Sequence, residues 1–387
     1  MITTTMSTEA RVLPLRAAYA VEEVHGRDAF ERLRPEWDAA VSRGPADLPF
    51  TRHAFLSAWL EAFAPREPLL VLVARDVRGA AAGFAPFLEV RRPGASWLVA
   101  PANDHSNRFE WALGRDASGA AGALWAHLRD RLAWDALVLR DVRRDGPTST
   151  LLEPLARADG HPTGRWASLD SPVVALGPGP GALEGRLDAK FRANLRRRAR
   201  RLAERGALAV RRTDGEPGLA EALADFLEIE GSGWKGRGGT AVAADPRLVG
   251  FYVRLARDAA GAGALRIRTL TLDGRAIAVH LGLEHLGVRY LPKTGYDEAL
   301  AALGPGQLLT GEVLAECEAR GLASFDFLGP DMPWKREWST GSVPHDWLYV
   351  YRPSWRGRAM HSVKHRLIPA AKRARRALGE TIRWPSR

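Results

Sequence analysis

The sequence predicts an α/β protein built from two copies of one unit, each a mixed, mostly antiparallel sheet flanked by helices. Three observations predict it. The chain has 387 residues, 46% hydrophobic and 26% charged, which is the composition of a soluble globular protein and more than one ordinary core needs. Two three-strand meanders, each followed by a helix and then an apolar strand, recur about 200 positions apart. Between them Pro172–Gly185 is rich in Gly and Pro and reads as the crossing between two domains.

Taken in order, Phe30–Ala40 and Ala54–Phe63 carry apolar residues at helical spacing. Leu69–Ala74, Ala80–Val90 and Ala95–Ala100 are strands separated by turns at Arg75–Gly79 and Arg91–Gly94. A helix over Gly119–Leu132 follows, opening at Ser118 as an N-cap, and then an apolar strand at Ala136–Arg140. After the crossing, Leu187–Arg205 aligns Phe191, Leu195, Ala199 and Leu202 on one stripe. Lys190, Arg192, Arg196, Arg197, Arg198, Arg200 and Arg201 cover the rest, so the helix has a strongly basic outer face. The second unit repeats the pattern. Helices Leu219–Glu230 and Pro246–Ala260 come first, then strands Leu265–Leu272 and Arg275–Glu284 joined by the hairpin turn Asp273-Gly274. Strand Val288–Thr294, helix Gly306–Arg320 and strand Ser324–Leu328 complete it. The expected organisation is a flexible segment 1–20, a first domain 21–172, a linker with the basic helix 173–205, a second domain 206–351 and a basic tail 352–387.

The net charge of +11 is localised. Eleven basic residues and one acid, Glu380, fall in 352–387, leaving 45 basic against 44 acidic residues elsewhere. The body is nearly neutral, and the tail is the basic element. No apolar run approaches the roughly 20 residues of a membrane span. The start, Met1-Ile2-Thr3-Thr4-Thr5, lacks the charged and apolar regions of a secretory signal, so a cytoplasmic location is expected. The single cysteine, Cys317, leaves no intramolecular disulfide partner, and its apolar helix favours packing over nucleophilic chemistry. No ligand spacing for a metal, no Walker loop and no GxSxG elbow is present.

The chemistry concentrates in the second unit. Phe325-Asp326-Phe327-Leu328-Gly329-Pro330-Asp331-Met332-Pro333-Trp334-Lys335-Arg336-Glu337-Trp338 is a buried-looking strand running into an aromatic, charged loop. Upstream stand the strand Tyr290–Asp297, with its polar end, and the turn Gly304-Pro305-Gly306-Gln307 opening a helix. Asp326 alternates with Phe325 and Phe327, so its side chain points away from theirs and serves either as a base or as a structural acceptor. His280, inside a strand, is either a base that titrates near neutrality or a core histidine. Lys293 and Lys335 end their segments and either bind an anion or are solvated. Trp234 beside Lys235, and Trp334 beside Lys335, are aromatic–cation pairs that either line a sugar or nucleotide site or pack structurally. Asn103-Asp104-His105-Ser106-Asn107-Arg108 forms either one wall of an acceptor pocket or a capped turn.

These strings, with Lys190-Phe191-Arg192-Ala193-Asn194-Leu195, Gly233-Trp234-Lys235-Gly236 and Leu291-Pro292-Lys293-Thr294-Gly295-Tyr296-Asp297, resemble the GCN5-related N-acetyltransferase (GNAT) fold present twice. Over residues 20–355 the chain resembles the CelD/BcsL-like (cellulose biosynthesis) tandem GNAT acetyltransferases, relatives of the FemAB-like peptidyltransferases. The resemblance implies acyl transfer from acetyl-CoA or another acyl-CoA as co-substrate, without a metal. The acceptor would be a small molecule or glycan. It places the cofactor's pyrophosphate at Gly304, Gly306, Gln307 and Leu308, although the turn departs from the usual Gln/Arg-x-x-Gly-x-Gly/Ala pattern. Catalysis is assigned to Asp326, His280 and Lys335. Substrate binding is assigned to Asn103, Asp104, His105, Arg108, Trp234, Lys235, Lys293, Tyr296, Asp331 and Trp334. Removing Gly306 and Asp326 is expected to abolish turnover with the fold intact. The helix Gly119–Leu132 of the first unit reads as a copy without cofactor.

In the tail, Met360, Val363, Leu367, Ala371, Ala374 and Leu378 recur at helical spacing among Arg and Lys, with Pro369 expected to kink or break the helix. The segment suits an anionic membrane surface at the inner face, or docking on the protein's own body. Two rival readings stand beside the acyl-CoA enzyme. One is a Fem-like transferase using aminoacyl-tRNA, favoured by the basic helix. The other is a silent scaffold of a membrane polysaccharide synthase anchored by its tail.

Overall fold

The computed structural model describes residues 19–92, 94–177, 179, 181–231 and 242–377. The segment expected to be flexible, 1–20, lies outside them except for Tyr19 and Ala20, which open strand β1 (Tyr19–His25). The first half continues with β2 (Leu69–Asp76), β3 (Ala81–Arg92), β4 (Ala95–Val99), β5 (Ala112–Leu113), β6 (Ala136–Arg143) and β7 (Thr163–Ala175). The second half supplies β8 (Leu208–Thr213), β9 (Leu265–Leu272), β10 (Arg275–His285), β11 (Val288–Tyr296), β12 (Ser324–Asp326) and β13 (Gly341–Tyr351).

All thirteen join one sheet in the order β1-β2-β3-β4-β6-β13-β7-β12-β11-β10-β9-β8, with β5 attached to β3. The predicted architecture, a mixed and mostly antiparallel sheet flanked by helices, is present. Only β4 with β6 and β11 with β12 pair in parallel. The meanders match their predicted ranges within two residues. Asp273 and Gly274 both have positive φ (50° and 81°), the backbone that a two-residue hairpin requires and that Asp-Gly adopts readily.

The two halves exchange their closing strands. β13, at the end of the second half, pairs with β6 of the first, while β7, at the end of the first, pairs with β12 of the second. β13 and β7 also pair with each other, from Gly341↔Val173 to Val350↔Thr163. The stretch Pro172–Gly185, expected to be an open crossing, is therefore strand up to Ala175. Ser171 is buried there, and of the described residues after Ala175 the short helix Ala182–Arg186 is the next regular element.

Apolar faces bring the helices onto the sheet. Helices His53–Phe63 and Pro246–Gly261, one from each half, pack together through Phe55 and Phe251, whose rings stand edge to face at 5.7 Å. Phe50 meets Tyr290 of β11 at 5.4 Å in the same shared core. On the other face, helix Ala117–Asp130 covers the first half, and helices Ala189–Ala203 and Pro305–Ala319 cover the second. In the basic helix Phe191 and Leu202 are buried, as the predicted stripe requires. Cys317 is buried too, which pushes its thiol up to about 11.

Three expectations are corrected. The helix predicted over Phe30–Ala40 is two helices, Arg27–Arg32 and Arg34–Val41, because Pro35 has no N–H to continue the first ladder. The N-cap of helix Ala117–Asp130 is Asp116, not Ser118, since the Asp116 carboxylate accepts the Gly119 N–H. Pro369 does not break the tail helix. The helix widens into a π turn over Val363–Leu367 just ahead of it and continues through Ala377.

Leu348, fully buried in β13, packs into the first half's core although it belongs to the second half of the chain. Leu348→Ala should cost about 2–5 kcal/mol. Because strand exchange couples the halves, calorimetry should show one unfolding transition shifted to lower temperature. Two separable transitions would contradict the coupling.

Candidate functional site

β11 and β12 pair in parallel at only three positions, Val288↔Ser324, Arg289↔Phe325 and Tyr290↔Asp326. β11 then runs on to Tyr296, held on its other side by β10 from Leu281↔Lys293 to Ala278↔Tyr296. The chain after β12 turns away, because Leu328 and Gly329 both adopt left-handed backbone (φ 52° and 59°). Such a conformation is strained for leucine and needs external support. Asp326 supplies part of it, its Oδ1 accepting the Leu328 N–H at 2.9 Å. Lys335 supplies more, its Nζ donating to the carbonyls of Leu328 (2.6 Å) and Pro330 (2.9 Å). Ser171 of β7 donates to the Gly329 carbonyl at 3.1 Å.

Asp326 is itself fixed across the two halves. Its Oδ2 forms an ion pair with the Arg108 guanidinium, and both residues are only 4% exposed. A buried pair of this kind gains from its charge-assisted hydrogen bond but is costly to break from one side.

The parting of β11 and β12 opens a cavity of about 520 Å³. One wall is the edge of β11 that faces away from β10, Leu291–Tyr296, and the opposite wall is the loop Phe327–Pro330 with Trp334 and Lys335. One end is the N-terminus of helix Pro305–Ala319. Its N-cap, Gly304, is left-handed (φ 60°) and carries no capping side chain. The Gly306 N–H has no hydrogen-bond partner among the described residues. Open N–H groups and the helix dipole favour an anion there. Arg198 of the basic helix closes this corner; a Cβ on Gly304 would lie 3.0 Å from its Nη1. Arg198 has no ion-pair or hydrogen-bond partner among the described residues.

A second region of the cavity is lined by Glu230 and Tyr252. Glu230 is 2% exposed at the end of helix Leu219–Gly231, and its Oε2 accepts the Val242 N–H at 2.5 Å. The Tyr252 hydroxyl lies 2.9 Å from His105 Nδ1, and Lys293 Nζ stands 5.5 Å from the Tyr252 ring centroid. Burial first, and the Glu230 charge second, push the Tyr252 phenol well above its ordinary value, so it stays a neutral O–H.

The predicted residues distribute unevenly over this geometry. Gly304, Gly306, Gln307, Lys293, Tyr296, Trp334, Lys335 and Asp104 line the cavity. The Gln307 side chain is engaged in holding the aromatic loop, donating to Glu337 Oε2 at 2.8 Å and accepting from Trp338 Nε1. Leu308 packs against the core instead of lining the cavity. Asn103 accepts from Trp59 Nε1 at 3.0 Å and shapes its own turn. Asp104 pairs with Arg140 at 2.9 Å, and Asp331 pairs with Arg336 at 2.8 Å. Trp234 and Lys235 lie outside the described residues.

Burial and pairing set where the catalytic candidates stand relative to the cavity. His280 is buried in β10 away from the cavity, where burial and then the Arg289 charge lower it to about 3. Asp326 and Arg108 are spent on each other beneath the loop, and neither lines the cavity. Lys335 reaches the cavity but holds the loop carbonyls. Sequence reasoning missed Arg198, Glu230 and Tyr252. Glu230 did carry a signal, since it falls four residues after Phe226 on the apolar face of its helix, where a solvated carboxylate does not belong.

The corresponding helix start of the first half is filled from within, among the described residues. The N-terminus of helix Ala117–Asp130 is occupied by Asp116, whose carboxylate accepts from Gly119 N–H (3.0 Å) and the Tyr19 hydroxyl (2.6 Å). The Tyr19 bond first and the Gly119 bond second hold Asp116 below the usual carboxylate range, so it stays charged where an anion would have to sit.

Residues 189–336 match the family model described as an acetyltransferase (GNAT) domain. None of the curated proteins compared matches the sequence. Among solved structures, FemX is similar with a TM-score of 0.56 at 13% identity, over 85% of this chain and 97% of that one. A conserved protein of unknown function from Bacteroides thetaiotaomicron gives 0.52 at 13%, over 83% and 97%. The C-terminal domain of a protein named as a lysylphosphatidylglycerol synthetase, from Agrobacterium fabrum, gives 0.51 at 11%, over 87% and 96%. At these identities the likenesses concern the fold, and the GNAT match itself covers residues 189–336 of the second half. The matched domain gives the enzyme class, an acyltransferase, and it contains the β11 edge, the helix start and the loop Phe327–Pro330 that wall the cavity.

Asp326→Ala leaves the Arg108 charge buried and unpaired, so it should cost about 3–5 kcal/mol of stability. It is therefore not the fold-neutral change expected from sequence. Replacing both partners, Arg108→Met with Asp326→Leu, should restore part of that loss in thermal unfolding. An Asp326→Ala protein as stable as the parent would contradict the bridging role.

Proposed function

We propose that the chain transfers an acetyl or other acyl group from an acyl-CoA thioester to an amine or hydroxyl of a polysaccharide, glycolipid or amino-sugar precursor. The observation that carries this reading is the extended edge of β11 beside a helix N-terminus whose Gly306 N–H and neighbouring Arg198 have no partner among the described residues. The groups present fit such a donor. Gly306 N–H and Arg198 would hold the pyrophosphate, and the extended backbone of β11 beyond its pairing with β12 suits the amides of an extended pantetheine arm. Pro292 is the one residue of that edge with no N–H to give. The donor supplies an activated carbonyl with a thiolate leaving group.

The residues of the chain would then do three things. Glu230 takes the proton of the acceptor's amine or hydroxyl as the new bond to the carbonyl carbon forms. N–H groups on the β11 edge stabilise the developing oxyanion in a site screened from water by Trp334 and Phe327. Tyr252, held neutral and oriented by His105, is a proton donor within the same cavity for the departing sulfur. The carbon–sulfur bond breaks directly, without an acyl-enzyme. The flat face of Trp334 and the cation Lys293 suit a sugar ring carrying an anionic group.

A second reading, aminoacyl-tRNA as donor, is favoured by one feature. The basic helix that brings Arg198 to the cavity exposes Arg196, Arg197, Arg200 and Arg201 beside that same corner. Calorimetric titration with acetyl-CoA and with desulfo-CoA separates the readings. Saturable binding of both at one site per chain, weakened about tenfold by Arg198→Gln, supports the thioester donor. No binding of either, with RNase-sensitive activity, replaces it by the tRNA donor. Glu230→Gln should leave desulfo-CoA binding unchanged and lower turnover by about 10²–10⁴-fold; unchanged turnover would remove Glu230 as the base.

A further inference from the structure

The tail helix docks on the body through an unexpected face. Residues 355–377 form one continuous helical rod lying on β7 and β13. The side facing the sheet is polar and cationic. Lys364 Nζ sits 3.9 Å from the Trp166 ring centroid and 5.2 Å from that of Tyr349. His361 and His365 pack on Tyr351 at 5.6 and 5.8 Å, and of the predicted apolar stripe Met360 joins them at the sheet. Burial first, then the charges of His361 and Lys364, lower His365 to about 4, so this contact holds with a neutral ring.

The opposite side carries what the docking leaves out. Trp355 is 76% exposed, Leu367 61% and Val363 48%, three of the seven large exposed apolar side chains among the described residues, all within thirteen positions. Exposed Arg356, Arg358, Arg366 and Arg373 accompany them, with no carboxylate partner among the described residues. The sequence from 352 to 377 contains no acid. An exposed apolar strip flanked by unpaired arginines has no use for bulk water. It is complementary to a surface that offers negative charge at its boundary and hydrocarbon just beneath. No described helix is long and apolar enough to cross a membrane.

We propose that this outward face seats the protein on an anionic lipid bilayer, with Trp355, Val363 and Leu367 entering the interface and the arginines on the headgroups. The aromatic–cation contacts beneath are what make the arrangement workable. They satisfy the inner face without using the apolar residues, so the helix is presented rigidly and needs no unfolding to reach the membrane. The docked helix is also tied to the catalytic half of the molecule. Tyr351, Tyr349 and Trp347 alternate along β13 on the face it covers. Arg140 stacks on Trp347 at 4.3 Å and bonds Asp104, which lines the cavity. The proposal stands whichever donor the cavity takes.

The test is flotation of the full-length protein with vesicles of phosphatidylcholine alone and of phosphatidylcholine with about one-third phosphatidylglycerol. Binding to the anionic vesicles, and not to the neutral ones, is expected, together with weakening at higher salt. Two variants leave the inner face untouched. Arg356→Gln/Arg366→Gln/Arg373→Gln should weaken binding about a hundredfold. Trp355→Ser/Val363→Ser/Leu367→Ser should weaken it by about tenfold or more. Both should keep the parent's melting temperature and its desulfo-CoA titration. Absence of binding to either vesicle, or variants that bind as the parent does, would overturn the proposal. So would a dimer that the serine variant converts to monomer without vesicle binding, since the apolar face would then belong to a second copy. RNA retention by the arginines in place of vesicle binding would overturn it as well.

Discussion

The ion pair between Arg108 and Asp326 is the contact on which the site depends. It joins a loop of the first half to the last residue of β12 in the second, at a depth where neither charge meets water. The remaining carboxylate oxygen of Asp326 takes the Leu328 N–H and so commits the following residues to left-handed backbone. That bend ends the parallel pairing of β11 and β12 after three residues and leaves the edge of β11 open. The cavity is thus a consequence of one carboxylate using its two oxygens for different purposes. Lys335 and Ser171 reinforce the bend from the loop and from β7.

The same fold sets the two corresponding helix starts apart. Both halves place a helix after a meander and lay a parallel strand beside it. In the second half the helix begins at glycine, and the cation nearest to it, Arg198, comes from another helix and is unpaired among the described residues. In the first half an aspartate fills the helix N-terminus and a tyrosine hydroxyl caps that aspartate. An internal anion in one copy stands where the other is open to an external one. Strand exchange between β7 and β13 then makes the first half part of the framework around the β11–β12 cavity.

Much of this was legible in the residues. The meanders, the Asp-Gly hairpin and the glycine-opened helix follow from local periodicity and turn chemistry, which tertiary contacts did not override. The alternation of Phe325, Asp326 and Phe327 correctly turned the aspartate away from the aromatic core. Its partner was not legible, because Arg108 lies 218 positions away and ion pairs leave no local pattern. β13 was missed for a related reason. His345 and Asp346 are buried in it, Asp346 by pairing with Arg144 and Arg165, so the strand does not alternate as a half-solvated one would. β7 was hidden by a Ser-Pro step and by exposed positions such as Ser168 and Asp170 on a strand whose neighbours come from both halves. In the tail the apolar spacing was read correctly, but spacing cannot say which face meets the body. Aromatic residues of β7 and β13 chose the lysine and histidine side.

The central claim is that the edge of β11 left open by the Asp326 bend receives the donor. Hydrogen–deuterium exchange with and without desulfo-CoA addresses it segment by segment. The account predicts added protection over residues 291–296 and at the helix start 304–308, with the equivalent helix start at 116–119 unchanged. Protection that appears elsewhere while 291–296 exchanges as before would contradict it.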